Sequence, residues 1–266
     1  MKADFHMHTK FSTDSCVLPE KMIQSAIKKG LKTICITDHM DKDYDEKGTQ
    51  FVFCPKKYFS ELKELQEKYR LQIDVRIGVE MGLQSHLKTF INDYVNKYSF
   101  DFVIGSVHLI QGKDPYQESE SEWNDSTLYK KGFEEILKCV NQNMDFDVLG
   151  HMDYVVRYGK EKERSYFRKH YMDLIDEILR SLLTQGKGIE LNTAGFKYGL
   201  TFAHPHPDIL KRYKELGGEI ITIGSDAHKP EHIAYDFDRA KEILKCYHFK
   251  YYTEFKGRKP IFIQVG

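Results

Sequence analysis

The sequence predicts an α/β fold, a seven-stranded (β/α)7 barrel in one domain spanning residues 1–266, and three observations carry that expectation. Seven short apolar runs alternate with helix-like segments, and no linker or shift in composition divides them. Alternation of this kind means parallel strands joined by helical crossovers. All seven runs end in polar residues. That favours a barrel, where every strand end surrounds one site, over an open sheet, where a ligand meets only a few strands.

The first strand is expected from about Lys2 to Met7, and it carries Asp4-Phe5-His6-Met7-His8. Histidines at i and i+2 of a strand share a face and can reach one metal ion. Residues 19–30 form a helix opened by Pro19 and closed by Gly30, with Met22, Ile23, Ala26 and Ile27 on one side. Residues 33–37 are β-branched and apolar, as in a strand buried on both faces, and they end at Asp38-His39. After a polar loop over 40–54, Tyr58, Phe59, Leu62, Leu65 and Tyr69 recur at helical spacing. A strand over 73–79 ends at Glu80. A helix through Leu87, Phe90, Ile91, Tyr94 and Val95 leads to a strand over 100–107 that ends at His108.

Residues 111–125 read as an acidic loop over the site, and the helix over 128–140 as the way into a short strand, 146–149, ending in Gly150-His151-Met152-Asp153. Residues 165–185 trace one long amphipathic helix, with Phe167, Tyr171, Leu174 and Ile178 among its apolar positions. The strand over 188–191 runs into Asn192, and a helix over 208–216 stops at Gly217-Gly218. The strand over 220–223 ends in Gly224-Ser225-Asp226-Ala227-His228. A helix over 230–245 and a small hairpin close the chain.

Composition narrows the function. With 40 basic and 40 acidic residues the net charge is zero, which argues against nucleic acid as a partner. No segment approaches the roughly 20 apolar residues of a membrane span, and none resembles a secretory leader, so no membrane partner is expected. The five cysteines are scattered without CxxC spacing, the usage expected of reduced thiols in a cytoplasmic protein.

The strand ends supply the chemistry. Six of the 12 histidines fall at one topological position on five strands, which no capping preference explains. With Asp14 in the loop after the first strand, the set is His6, His8, Asp14, His39, Glu80, His108, His151, Asp226 and His228. Imidazole and carboxylate without thiolate suit zinc, manganese or iron rather than an all-oxygen calcium or magnesium cage. Nine ligands are too many for one tetrahedral ion and suit two or three, with a carboxylate bridging a pair. Such clusters hold metals roughly 3.5–4 Å apart and lower the pKa of a trapped water to about 7, so metal-assisted hydrolysis is the expected reaction class.

The runs Phe5-His6-Met7-His8-Thr9, Thr37-Asp38-His39, Gly78-Val79-Glu80, Ser106-Val107-His108, Gly150-His151-Met152-Asp153 and Ser225-Asp226-Ala227-His228 resemble the motifs of the polymerase and histidinol phosphatase (PHP) family, in the family's order and over nearly the whole chain. Size and the stretch Ile189-Glu190-Leu191-Asn192-Thr193 are similar to its stand-alone histidinol-phosphatase branch. The resemblance implies a distorted seven-stranded barrel, usually three metal ions, and hydrolysis of L-histidinol phosphate to L-histidinol and phosphate in histidine biosynthesis. Carried over by motif, His6, His8, Glu80 and Asp226 would hold a first ion. Glu80 would bridge to a second held with His108 and His151, and Asp14, His39 and His228 would take the third. A phosphodiesterase of the same chemistry and a metal-binding regulatory module without turnover are the alternatives.

For a phosphomonoester substrate, positive charge beyond the metals is expected from Arg157 and Lys197, each following a strand end. Asn192, Ser225 and His206 are further candidate substrate contacts. Catalysis is expected of Glu80, Asp226, His228 and Arg157. Asp38, Asp153 and His204 are candidates for supporting or substrate-facing roles. Asp41, Asp43 and Asp45 are candidates to meet a cationic substrate, and Phe11, Tyr198 and Phe202 to wall an imidazole ring.

Overall fold

The computed structural model describes residues 1–44, 51–116 and 123–266. Eight strands form its main sheet: β1 (Ala3–Asp4), β2 (Thr33–Ile36), β3 (His39–Met40), β4 (Asp74–Gly82), β5 (Phe102–Ser106), β6 (Val148–Leu149), β7 (Gly188–Asn192) and β8 (Ile221–Gly224). Seven of them run in parallel in the order β1-β2-β4-β5-β6-β7-β8, and β3 adds to β4. The sheet nearly closes. Phe5 N–H reaches Ile223 O at 2.9 Å, and Met7 bridges Ala227 in parallel. This is the distorted seven-stranded α/β barrel, with β3 as an addition.

Strands β2, β5, β7 and β8 are buried along their whole length, which is why, Glu190 and Asn192 of β7 apart, they read as largely apolar runs. Helices α1 (Pro19–Lys28), α2 (Pro55–Tyr69), α3 (Lys88–Lys97), α4 (Asp125–Val140), α5 (Met172–Thr184), α6 (Ala194–Lys197), α7 (Pro207–Glu215) and α8 (Phe237–Cys246) connect and cover them. Pro19, Pro55 and Pro207 each open a helix, where the missing N–H costs no bond. Asn124 caps α4 by accepting from Thr127 N–H at 2.9 Å.

A hairpin of β9 (Tyr251–Lys256) and β10 (Lys259–Gln264) closes the N-terminal end of the barrel. There Phe5 meets Phe102 edge-on at 5.4 Å, and Phe102 stacks on Phe255 at 5.0 Å. No helix among the described residues is long and apolar enough to cross a membrane.

Several boundaries differ from expectation. The first strand is two residues long rather than six, because beyond Asp4 the chain bonds alternately to the last strand and its end (Ile223, Ala227) and to Thr37 just after β2. Glu80 does not end its strand: β4 runs on to Gly82 because β3 pairs with Glu80 and Met81 on one side and β5 with Glu80, Met81 and Gly82 on the other. Instead of helix, the chain makes two short 3-10 turns, Lys162–Ser165 and Arg168–His170, and Phe167 between them, expected inside, is 61% exposed. The last helix begins at Phe237, seven residues later than expected, after a single 3-10 turn at Pro230–His232.

Candidate metal centre and its cavity

Phe5 and Met7 enter the apolar core, and His6 and His8 turn the other way, as alternation along an extended chain requires. Their Nε2 atoms lie 3.1 Å apart. Both rings are engaged at Nδ1: His6 with Glu190 Oε1 at 2.6 Å, His8 with Ser12 Oγ at 3.0 Å. Ser12 gives its own proton to Asp38 at 2.8 Å, so His8 donates at Nδ1. With Nδ1–H on both rings, two nitrogen lone pairs face each other. That arrangement requires a cation between them, either a proton or a metal.

Glu80 stands at the centre, fully buried. Its Oε1 accepts from His108 Nε2 at 3.2 Å and His151 Nε2 at 3.0 Å. Its Oε2 lies 3.1 Å from His6 Nε2, 3.4 Å from His8 Nε2 and 3.1 Å from His39 Nδ1, yet has no hydrogen-bond partner among the described residues. Asp226 Oδ1 is 3.3 Å from His8 Nε2 and 3.5 Å from His228 Nδ1. Asp14 Oδ2 is 3.0 Å from His228 Nε2 and 3.7 Å from His39 Nε2. All nine expected ligands therefore converge. Three overlapping groups have the geometry to hold an ion: His6, His8 and Glu80; His39, Glu80 and His108; His8, His39 and His228. Asp226 occupies the left-handed region (φ +50°), a strained conformation for a non-glycine residue at the point where its strand meets the cluster.

Electrostatics agree with this geometry. Burial opposes charge on Glu80, yet His6, His39 and His108 hold its carboxyl well below the usual range. Burial likewise opposes charge on His6, but Glu190 and Glu80 hold its imidazole well above the ordinary value. His108, against burial, is raised to about 10 by Asp41 and Glu80. His8 goes the other way, lowered by burial and by the neighbouring His228 and His39. Protons on some rings are standing where cations of higher charge fit, so the donor set suits divalent metals.

Two carboxylates that organise the cluster are not expected in that role from the sequence. Glu190, inside β7, holds His6 Nδ1 and accepts His151 N–H at 3.0 Å. Asp41, expected only as a possible contact for a cationic substrate, holds His108 Nδ1 at 2.6 Å. Carboxylates behind metal-facing imidazoles fix the ring orientation and raise ligand basicity. A glycine makes room for each: a Cβ on Gly224 would collide with Glu190, and one on Gly82 with Asp41. A carboxylate inside an otherwise apolar strand, with glycine on a neighbouring strand, is the signal that could have found Glu190.

The cluster floors a cavity of about 490 Å³. His39, His108, His151, Asp226, His228, Asp14 and Asp41 reach it, and Arg157 and Tyr198 line it as expected, together with Tyr44, Phe51, Asp114, Tyr116, Tyr154 and Tyr158. The Arg157 guanidinium lies 5.1, 4.9 and 4.4 Å from the ring centres of Tyr154, Tyr158 and Tyr198. Its Nε and Nη1 are buried with no hydrogen-bond partner among the described residues.

The other expected substrate contacts are engaged by the chain itself. Asn192 is fully buried, its amide donating to Glu190 and accepting from Ala194 N–H. Ser225 is also buried and donates to Asp4 at 2.5 Å. Lys197 Nζ donates to Asp226 O at 2.8 Å, and His206 Nδ1 accepts Asp208 N–H at the start of α7. Asp38 receives Thr9 and Ser12, and Asp153 receives His204 and His206. Asp43 faces His86, Phe11 packs on Phe53 and Tyr58, and Phe202 packs on His204 and His206. Asp45 lies outside the described residues.

Comparison with known proteins gives the family and the fold. The model of the PHP domain family matches residues 4–194. A histidinol-phosphatase of Lactococcus lactis is 34% identical over 261 residues, 97% of this chain and 96% of that protein. A probable histidinol-phosphatase of Clostridium acetobutylicum is 36% identical over 246 residues, 92% of this chain and 93% of its own. The crystal structure of histidinol phosphate phosphatase from Lactococcus lactis, complexed with zinc, L-histidinol and phosphate, is similar with a TM-score of 0.90 at 32% identity, covering 98% of each chain. A putative histidinol phosphatase from Listeria monocytogenes shares the fold, with a TM-score of 0.77 at 21% identity. By this match and these relatives, which extend across the Asp226 and His228 motif, the chain belongs to the PHP domain family.

Proposed function

We propose that this chain is a histidinol-phosphatase, a metal-dependent phosphomonoester hydrolase converting L-histidinol phosphate to L-histidinol and phosphate in histidine biosynthesis. Residues 1–266 act as one catalytic domain. The observation that carries the reading is Glu80 Oε2, buried among three ring nitrogens and bonded to none of them among the described residues. Support for the substrate comes from the Lactococcus lactis structure, similar over 98% of each chain and complexed with zinc, L-histidinol and phosphate.

His6, His8, Glu80 and Asp226 would hold one ion, Glu80 with His108 and His151 a second, and Asp14, His39 and His228 a third. Zinc, manganese or iron there supplies Lewis-acid charge to phosphoryl oxygens and brings the pKa of a bound water to about 7. The chain's own groups do the rest. Glu190, Asp41 and Ser12 fix the imidazoles so that the remaining ring nitrogens face inward. Arg157 offers two unpartnered N–H groups to a dianionic phosphate, its plane held by three tyrosine rings. A cavity of about 490 Å³ fits a small monoester, since pockets for small molecules run from roughly 300 to 1,000 Å³. Five free cysteines, two of them buried, suit a cytoplasmic setting.

The test is phosphate release from a panel of phosphorylated metabolites by purified protein. L-histidinol phosphate should give the highest kcat/KM, lost on chelation and restored by zinc, manganese or iron. A higher value for another monoester, or for a diester, would reassign the substrate.

A further inference from the structure

The cavity also carries charge outside the metal cluster. Four carboxylates line it among the described residues: Asp14, Asp41, Asp114 and Asp226. Three of them belong to the cluster, since Asp14 faces His228 at 3.0 Å, Asp41 faces His108 at 2.6 Å and Asp226 faces His8 at 3.3 Å. Asp114 differs. Its Oδ2 accepts from the Tyr44 hydroxyl at 2.6 Å, and its Oδ1 accepts Tyr116 N–H at 2.8 Å. Both partners are neutral donors, and they fix the carboxylate in place without cancelling its charge.

The surroundings of Asp114 are aromatic. Tyr44 packs on Phe51 with ring centres 4.4 Å apart, Tyr116 meets Tyr158 edge-on at 6.1 Å, and Tyr158 meets Tyr154 at 5.6 Å. Aromatic faces attract a ligand cation and stack on a planar ring. Arg157 is the only lysine or arginine among the described lining residues, and its unpartnered N–H groups suit the phosphate. A ligand spanning the cavity therefore meets cation-binding chemistry at Asp114 and anion-binding chemistry at Arg157 and the metal cluster.

We propose that Asp114, held by Tyr44, is the specificity-determining residue for the leaving group, selecting phosphomonoesters whose alcohol carries a protonated amine. The inference rests on the histidinol-phosphatase reading and adds the residue that recognises the amine. Asp114 binds the ammonium through a charge-assisted hydrogen bond, and the tyrosine and phenylalanine rings flank the rest of the alcohol. The group takes no part in breaking the P–O bond. Its effect appears as discrimination between substrates.

The experiment compares Asp114→Asn with wild type on two substrates, L-histidinol phosphate and its N-acetylated derivative, which keeps the phosphate and the imidazole but has no cationic amine. Asparagine can accept Tyr116 N–H at its oxygen and donate its amide N–H to the Tyr44 hydroxyl oxygen, so the fold is retained and circular dichroism checks it. Wild type should favour the free amine. A hydrogen bond to a charged group is worth enough that the ratio of kcat/KM values should fall about 10- to 100-fold in the variant, chiefly through KM. Binding of L-histidinol itself, measured by calorimetry, should weaken in the same proportion. A variant that keeps the wild-type ratio, or loses equally on both substrates, overturns the assignment of Asp114 while leaving the enzyme a histidinol-phosphatase. A wild-type protein that turns over neither substrate overturns the reading beneath it.

Discussion

The two ends of the barrel use the same residue types in opposite ways. At the N-terminal end, Arg258 donates to Asp147 at 2.6 Å and Asp145 at 2.8 Å. Asp147 also accepts Val103 N–H, and Asp101 accepts the N–H groups of Ile77 and Gly257. Each of these carboxylates has a permanent cation or backbone donors. At the C-terminal end, Glu80, Asp41, His39 and His228 converge with buried atoms that find no hydrogen-bond partner among the described residues. A completed network stabilises a fold. An incomplete one, made only of acceptors and titratable rings, is arranged to receive a cation. The contrast agrees with the general division of such barrels, stability at the bottom and chemistry at the top.

The largest effect should come from removing the central charge at the top. Glu80→Gln keeps the side chain's size and should lower kcat by about 10³-fold or more, since the ions it would help hold would supply Lewis-acid charge and lower the pKa of a bound water. Circular dichroism should show an intact fold. Exposed Glu219, at the opposite rim, should tolerate the same change. Near-normal turnover in a folded Glu80→Gln protein would remove Glu80 from the mechanism.

The reverse behaviour is expected at the bottom. Arg258 is largely buried, and Arg258→Met leaves Asp145 and Asp147 without their cation, which should cost about 2–4 kcal/mol of stability by denaturant titration. The rate per folded molecule should stay as it was. If activity falls faster than the folded fraction does, the two ends are not independent and the comparison fails.

Two smaller substitutions sharpen the top. Glu190→Gln removes the carboxylate behind His6 and should weaken metal binding about 10- to 100-fold, measured by chelator competition, with a smaller effect on kcat once metal is saturating. Arg157→Met should cut kcat/KM on the monoester by about 10- to 100-fold while changing a simple diester much less, because a diester presents one negative charge instead of two. Equal losses on both substrates would leave Arg157 with a structural role only.

The strand-end histidines were legible because a barrel sends every strand end to one place, so their pattern along the chain already described a site. Glu190 and Asp41 were not legible, because which carboxylate stands behind a given imidazole depends on lateral neighbours across the sheet. The same limit applies to Asn192, Ser225 and Lys197. Position after a strand end brings a side chain near the site but does not decide whether it faces the cavity or a buried partner. The segment around the 3-10 turns Lys162–Ser165 and Arg168–His170 kept an apolar pattern close enough to a helix to be read as one, although Phe167 is exposed.

The pH response follows from the same contrast and is the smallest effect. His108, raised to about 10 by Asp41 and Glu80 despite burial, contributes stability fully present below its ordinary value of 6.5 and lost as pH rises toward 10. Glu80 and Asp226, held well below their ordinary values, contribute stability present above the carboxylate range and lost in acid. Metal-free protein should therefore melt at progressively lower temperature from about pH 6.5 to 10. Metal-loaded protein, whose rings are already neutral ligands, should not. Parallel alkaline curves with and without chelator would contradict the proposal that protons and metals compete for these nitrogens.

Elemental analysis of gently purified protein, repeated at saturating metal, tests the central claim most directly. If the nine convergent ligands form the proposed cluster, it will find two to three transition-metal ions per chain, removable by chelator together with activity. One ion or none per chain in a correctly folded sample at saturating metal would contradict it.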